Sequence, residues 1–380
     1  ADMRRHDRAA WPSRPLGLKW HRGGMVMRLV CLGLAAALLA TACDRDPRAV
    51  QHLDAVESPV AATGAAAPVR LLFAGDVMLG RRIAGVLETD AESVFEEVRH
   101  ALRSADLAVA NLEAPFGDTS LQDELRLIAS PGAGQVLASA GFDAMAVANN
   151  HAGDAGPGSV DGTVQVLNDV GLHAIGVSRR DGPVVPVVEH DGVRVAMLAF
   201  DLTGQGPQAG DGVGVMHWDL AKAAQMVRDA QAAADVVTVG LHGGVEYLPV
   251  PDPSLVRAVE QLAVWGVDVV WAHGAHVPYE VAVLDPNGDG RVTIAAYGLG
   301  NFLFDQRIAG TEEGQILEVL AAADGPVAYR VGAVGHGDLR VTRPRWIVPA
   351  APAASLGGDW WSLSQNPVIA ARSAVVLDGA

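Results

Sequence analysis

Residues 69–80 read VRLLFAGDVMLG, an apolar run broken only by Arg70 that stops at Gly75 and delivers a carboxylate, Asp76, at its end. A short apolar run bounded by glycine marks a strand buried on both faces. The same arrangement recurs outward from it. DLAVANLE (106–113) ends at Glu113, DAMAVANN (143–150) ends at Asn150 with His151 next, DVVTVGLH (235–242) ends at His242, and VDVVWAH (267–273) ends at His273, with His276 three residues on. VRVAMLAF (193–200) is a sixth run of like composition. Between the runs lie stretches of helical period: Glu92 to Ser104 with Phe95, Val98 and Leu102 on one face, Ser159 to Asn168 with Val160, Val164 and Leu167, and Ser254 to Trp265 with Leu255, Val259 and Leu262, where Ser254 is the expected N-cap. Strands alternating with helices define an α/β fold. Ligands of such sheets gather outside the carboxyl ends of parallel strands, so these distant residues are expected to converge at one edge.

Each residue alone also has an ordinary structural explanation. Asp76 could close a strand-end turn or cap a helix, Glu113 stands near Pro115 where a turn is expected, and Asn149 and Asn150 could simply accept left-handed backbone. His242 could be a hydrogen-bonded strand-end histidine, although the two glycines after it let the backbone approach a ligand. The spacing of His273 and His276 is common. It is their repetition at corresponding strand ends that points to a site. DPNGDGRVTI, with Asp285, Asn287 and Asp289, imitates the start of a calcium loop, but Ala296 stands where a bidentate glutamate must close it. A hairpin turn between EVAVLD and RVTIAAYGLGNFLF is expected instead.

Half of the 380 residues are hydrophobic and 19% are charged, which excludes a generally disordered chain. With 28 Lys+Arg against 44 Asp+Glu, the net charge of -16 argues against nucleic acid as a partner. An anionic partner then needs a local cationic device, which bound divalent ions would supply. The two cysteines, Cys31 and Cys43, both precede the folded part, so its chemistry falls to Asp, Glu, His, Asn or hydroxyl groups. Residues 1–43 read as a signal peptide or lipoprotein signal region: basic residues, then the apolar run from Leu29 to Ala42, shorter than a spanning helix needs, ending at Cys43, with ordinary signal cleavage or a short uncleaved anchor as the alternatives. Acylation of Cys43 would anchor an exported envelope protein to a membrane, with residues 44–68 as a tether, 69–348 as the folded domain and 349–380 as a C-terminal extension.

Read in order, GDVMLG, NLE, ANNHAGDAG, HGGVEY, AHGAHV and YGLGNFLFD resemble the successive signature blocks of the CapA family of capsule and poly-γ-glutamate biosynthesis, within the metallophosphatase (calcineurin-like phosphoesterase) superfamily. The resemblance extends from Arg70 to Asp305. It implies a four-layer αββα sandwich in which two sheets pack face to face. It also implies a metal ligand set of Asp76, Glu113, Asn150, His242, His273 and His276, with Glu113 able to bridge two ions. On the same pattern His151 is the general acid and works with Asp154, while Asn111, Asn149, Glu246, Tyr247 and Asn301 support the ligands or touch substrate. A sulfur-free set of oxygen and imidazole donors suits two ions of Mn, Fe or Zn. The chain departs from the pattern at Met78, where a histidine is usual, and at Gly243, Ala272 and Ala275. The absent histidine implies weaker hold on one ion. The function implied is hydrolysis of a phosphoester or polymer bond, with an anionic envelope polymer or a phosphorylated small molecule as substrate and other capsule-synthesis proteins as partners. The alternative is a non-catalytic accessory that binds or exports the polymer on the same fold.

Overall fold

The computed structural model describes residues 67–210, 212–347, 354–355 and 360–362. The expected signal region with Cys43, and the tether almost entirely, lie outside them. All six apolar runs form strands. β1 (Val69–Val77) is buried along nearly its whole length and pairs in parallel with β2 (Leu107–Leu112), β2 with β3 (Ala144–Ala146), and β3 with β4 (His173–Ile175). Connecting them are α1 (Arg81–Asp90), α2 (Arg99–Ser104), α3 (Ala133–Ala140) and α4 (Ser159–Asp169). The single helix expected from Glu92 to Ser104 is broken into a 3-10 turn, Ala91–Phe95, and α2. There the Ser93 hydroxyl donates to the Asp90 carbonyl, offering the backbone an alternative to a continuous helix. The apolar face itself is as expected, with Phe95, Val98 and Leu102 all buried.

The chain then makes a small sheet from β5 (Val177–Arg179) and β6 (Gly182–Val184), which a later strand joins. A second large sheet starts with the hairpin of β7 (Val187–His190) and β8 (Val193–Asp201). β9 (Val213–Val215) completes the small sheet, and α5 (Leu220–Ala233), β10 (Val236–His242), α6 (Pro253–Val264) and β11 (Val269–His273) follow. α6 is capped by Asp252, whose carboxylate accepts from the Ser254 N–H at 2.8 Å, rather than by Ser254 itself. Pro253 takes the first helical position, where its missing N–H costs nothing and its φ is already helical.

β12 (Val281–Leu284) and β13 (Thr293–Ala296) form the expected antiparallel hairpin. Its turn is satisfied by its own carboxylates: Asp285 accepts from the Gly290 N–H and Asp289 from the Arg291 N–H. β14 (Asn301–Leu303) returns to the first sheet beside β1. β15 (Glu313–Ala322) and β16 (Gly325–Gly335) form a long hairpin whose first strand pairs antiparallel with β1. Short strands β17 (Arg345–Ile347), β18 (Ala354–Ser355) and β19 (Trp361–Ser362) complete that sheet.

Side-chain alternation divides these elements into layers. Along β8, Val195, Met197 and Ala199 join the core shared with the first sheet, while Ala196, Leu198 and Phe200 join Val227 of α5 and Val259 and Leu262 of α6. The other face of the first sheet is covered by Ile83, Leu102, Leu137 and Leu167 from its own helices. This is the four-layer αββα arrangement that the resemblance implies. Phe73 of β1 and Trp271 of β11 stack across the inter-sheet core with ring centroids 5.6 Å apart. Among the described residues, no helix is long and apolar enough to cross a membrane.

Candidate metal centre

Strand register sets the site. Asp76 lies opposite Asn111 of β2 and Asn301 of β14, and His242 lies opposite His273. The carboxyl ends of the two sheets meet at one rim, where Glu113, just past β2, and the Asn149–His151 turn, past β3, complete the ring. β1 approaches the β14 loop so closely that a Cβ on Gly75 would collide with the Gly300 carbonyl. Gly274, with φ of 95°, turns the chain after β11 so that its N–H donates to Asp76 Oδ2 at 3.0 Å. A Cβ at Gly274 would stand 2.9 Å from His242 Cε1. Glycine is required there by both backbone and space.

Asp76 is fully buried and faces several partners at once. Asn111 donates to its Oδ1 at 2.8 Å, His273 Nδ1 lies 3.4 Å from Oδ1, and His276 Nδ1 lies 3.3 Å from Oδ2. Burial raises its pKa, but the two imidazoles outweigh it and hold the carboxyl well below its ordinary range. Glu113 is the reverse: burial, then the Asp76 charge, push it well up, with Arg81 pulling the other way. Its Oε1 lies 3.7 Å from His276 Nε2 and 3.9 Å from His242 Nε2. His242 Nε2 lies 2.8 Å from Asn150 Oδ1, and His242 Nδ1 lies 3.1 Å from His273 Nδ1. Burial first, and then the His273 charge, keep His242 well below its ordinary pKa and therefore neutral, with a lone pair to give.

The donor set fits a divalent cation. Two carboxylates share one buried space, Glu113 Oε2 is buried without a hydrogen-bond partner, and the neutral His242 ring faces Nδ1 of His273. Such groups are costly unless something positive sits among them. Two triads have ligand atoms all within 4.8 Å of one another: Asp76, His242 and His273, and Asp76, Glu113 and His276. Asp76 is the shared member. Met78 does not face this cluster as a substitute ligand, since its sulfur accepts from the Gly80 N–H at 3.1 Å.

Around the cluster lie the supporting residues read from the sequence. Asn149 donates to Asn111 Oδ1 and to the Leu112 carbonyl, and accepts from the His151 N–H. Asn301 Oδ1 lies 3.0 Å from His276 Nδ1, and Tyr247 stacks on the His276 ring at 5.7 Å. His151 Nδ1 lies 2.7 Å from Asp154 Oδ2, leaving Nε2 facing Glu113 Oε1 at 4.0 Å. Glu246 stands apart: it is exposed, and among the described residues it makes no hydrogen bond to a ring nitrogen of the cluster. Burial, with Glu246 beside it, raises the Tyr247 phenol pKa and keeps it protonated. At Gly243, a larger residue is excluded because Leu202 Cβ would stand 2.7 Å from its Cβ.

Three further residues belong to the site and were not singled out from sequence. Arg81 pairs with Asp305, and Gln306 bridges Asn301 and Tyr247, at 2.9 and 3.0 Å. The signal available was the run YGLGNFLFD, which carries Asp305, and the cation directly after GDVMLG. Asp201, at the end of the sixth run, accepts from Thr203 and from Gly206, so it folds the loop beside Asn149 rather than joining the cluster.

Known proteins resemble this chain over the same residues. The PGA biosynthesis protein CapA of Bacillus subtilis (strain 168) is 28% identical over 291 residues, covering 74% of this chain and 72% of its own. The capsule biosynthesis protein CapA of Bacillus anthracis is 28% identical over 282 residues, covering 67% of this chain and 66% of its own. Among solved structures, a 5'-nucleotidase precursor from Thermus thermophilus is similar with a TM-score of 0.42 at 18% identity, covering 70% of this chain and 54% of its own. Residues 70–306, which hold every residue of the cluster, match the family described as bacterial capsule synthesis protein PGA_cap, and the chain belongs to that family.

Proposed function

We propose that this chain is an envelope protein of capsule or poly-γ-glutamate biosynthesis whose strand-end cluster holds two divalent ions, of Mn, Fe or Zn, and hydrolyses a phosphoester or a bond of an anionic envelope polymer. The observation that carries the reading is the presence of buried Asp76 in both triads of ligand atoms. Asp76, Glu113, His242, His273 and His276, with the Asn150 amide oxygen, would hold the ions. Bound divalent ions supply Lewis acidity and a nucleophile from water at neutral pH.

The chain's own residues supply orientation and proton transfer. Asn111 fixes one oxygen of Asp76 and Gly274 the other, so the carboxylate cannot rotate away. Asp154, an acceptor when ionised, takes the Nδ1–H of His151 and leaves Nε2 as the atom that exchanges a proton with a leaving group. Beside the centre lies a cavity of about 590 Å³, lined by Tyr247, Val277, Tyr279, Gly310 and Glu312, which would receive the rest of the substrate. Attachment through Cys43 would place the site at a membrane surface among other capsule-synthesis proteins.

The test is elemental analysis of the full chain purified with Mn, Fe or Zn, followed by assay on phosphate monoesters, phosphodiesters and poly-γ-glutamate. Metal-dependent product release that is lost in Asp76→Ala and reduced in His151→Ala is expected. Unchanged occupancy in both Asp76→Ala and Asn150→Ala would remove the site. Metal without turnover on any of these substrates, together with unimpaired capsule formation by His151→Ala, would replace hydrolysis by the accessory role.

A further inference from the structure

Arg81 opens α1 with φ of 46°, a left-handed backbone that a side chain with a Cβ rarely adopts and that persists only where surrounding contacts impose it. Those contacts come from segments far away in sequence. Its Nη2 pairs with Asp305 Oδ1, its guanidinium lies 5.6 Å over the Phe304 ring, and its Nη1 reaches the Glu124 carbonyl at 3.4 Å. The next N–H, of Arg82, takes the other oxygen of Asp305 at 3.3 Å. Phe304 in turn lies edge-on to the His276 ring, with centroids 5.0 Å apart.

These contacts hold a cation on the same Phe304 ring that lies against His276, one aromatic ring removed from the cluster. Nε of Arg81 is buried and has no partner, so the fork keeps donors beyond those taken by Asp305 and Glu124. A guanidinium has five donors in one plane and matches the paired oxygens of phosphate or carboxylate. The charged side chains that pair with Arg81 and with His151, Asp305 and Asp154, are acidic. An anion entering the centre would therefore find its matching protein donor in Arg81.

We infer that Arg81 determines specificity at this centre: its guanidinium grips the non-reacting oxygens of an oxyanion, a phosphate or a carboxylate, and Asp305 aims the fork. The inference rests on the metal-centre reading and adds a requirement to it. The reacting group of the substrate must carry, or stand beside, a negative charge. Neutral esters and amides are excluded.

The experiment measures binding of inorganic phosphate and of acetate to the manganese-loaded full chain by calorimetry, for the wild type, Arg81→Gln and Arg81→Lys. Metal content and thermal midpoint are recorded for each. The expected result is a loss of about tenfold or more in affinity for the preferred anion in Arg81→Gln, since charge-assisted fork hydrogen bonds are strong. Arg81→Lys should recover only part of it, because an ammonium keeps the charge and loses the fork. Metal content should stay unchanged, which a merely structural role for the arginine would not combine with lost anion affinity. Which of the two anions binds tells phosphate from carboxylate recognition. Equal affinity in wild type and Arg81→Gln at equal metal content overturns the inference, as does a metal-loaded wild type that binds neither anion. A wild type that takes up no metal overturns the metal-centre reading instead, and the metal assay separates the two failures. Should Arg81→Gln not fold, Arg81→Lys carries the comparison, and no loss of affinity in it counts against the role.

Discussion

Asp76 and Gly274 stand 198 positions apart in the chain and meet at 3.0 Å, where the Gly274 N–H donates to Asp76 Oδ2. This bond joins the end of β1 in one sheet to the turn after β11 in the other. Gly274→Ala is therefore expected to cost about 1–3 kcal/mol, from a strained left-handed backbone and a methyl set against His242. Thermal melting and metal analysis check it: a variant as stable as the wild type, with full metal content, would contradict the constraint.

Because Asp76 belongs to both triads, Asp76→Asn is expected to reduce binding at both ion positions, whereas Glu113→Gln should weaken chiefly one. Metal-to-protein ratios by elemental analysis at limiting Mn distinguish the two. Equal losses in both variants would contradict the asymmetry and show that Glu113 serves both positions as much as Asp76 does.

Removal of metal should destabilise the fold. Asp76 and Glu113 then share a buried space without the cations, and Glu113 is already pushed toward its neutral form. Adding Mn at about a hundred times its dissociation constant should stabilise the protein by ~2.7 kcal/mol over the chelated form. A melting temperature indifferent to chelator and to Mn would argue that no ion binds.

Asp154→Asn probes the proposed proton-transfer pair of His151 and Asp154 without altering any candidate ligand. Loss of the carboxylate that takes the Nδ1–H of His151 should lower turnover by about 10–100-fold at unchanged metal content. A parallel fall in metal would instead assign Asp154 to holding the ions.

Asp268, directly before β11, offers a pH test independent of the centre. Burial raises its pKa to about 6, above the partly compensating charge of Arg291 3.2 Å away. In an unfolded chain the group releases its proton near pH 4. The folded protein therefore holds the extra proton between the two values, and the stability this group contributes is full below about pH 4 and lost as pH rises through about 6. A shift of about two units corresponds to at most ~3 kcal/mol. Urea melts from pH 4 to 7 should show the wild type losing stability relative to Asp268→Asn; identical slopes would refute the raised value.

Much of the cluster was legible in the chain because five of its six candidate ligands end an apolar run, and parallel strands turn that shared position into shared space. Asp76, Glu113, Asn150, His242 and His273 could be read this way. The β15–β16 hairpin could not, although β15 lies directly beside β1. Glu318 and Arg330 sit inside its two strands like surface residues, yet they face each other across the ladder and pair at 2.7 Å with Glu318 buried. Their charges cancel only once the strands have paired. Arg81 was hidden for the same reason, since its partner Asp305 lies 224 positions away. The break between Phe95 and Arg99 was missed because apolar period records which face is buried, and a side-chain hydroxyl competing for a carbonyl leaves that period intact.

The stack of Phe73 on Trp271 lies three residues before Asp76 and two before His273. It works as a dowel: a slip of one sheet over the other by a single residue would carry half of the ligands about 3.3 Å out of reach. Geometric precision at the rim is thus stored in a greasy seam remote from solvent.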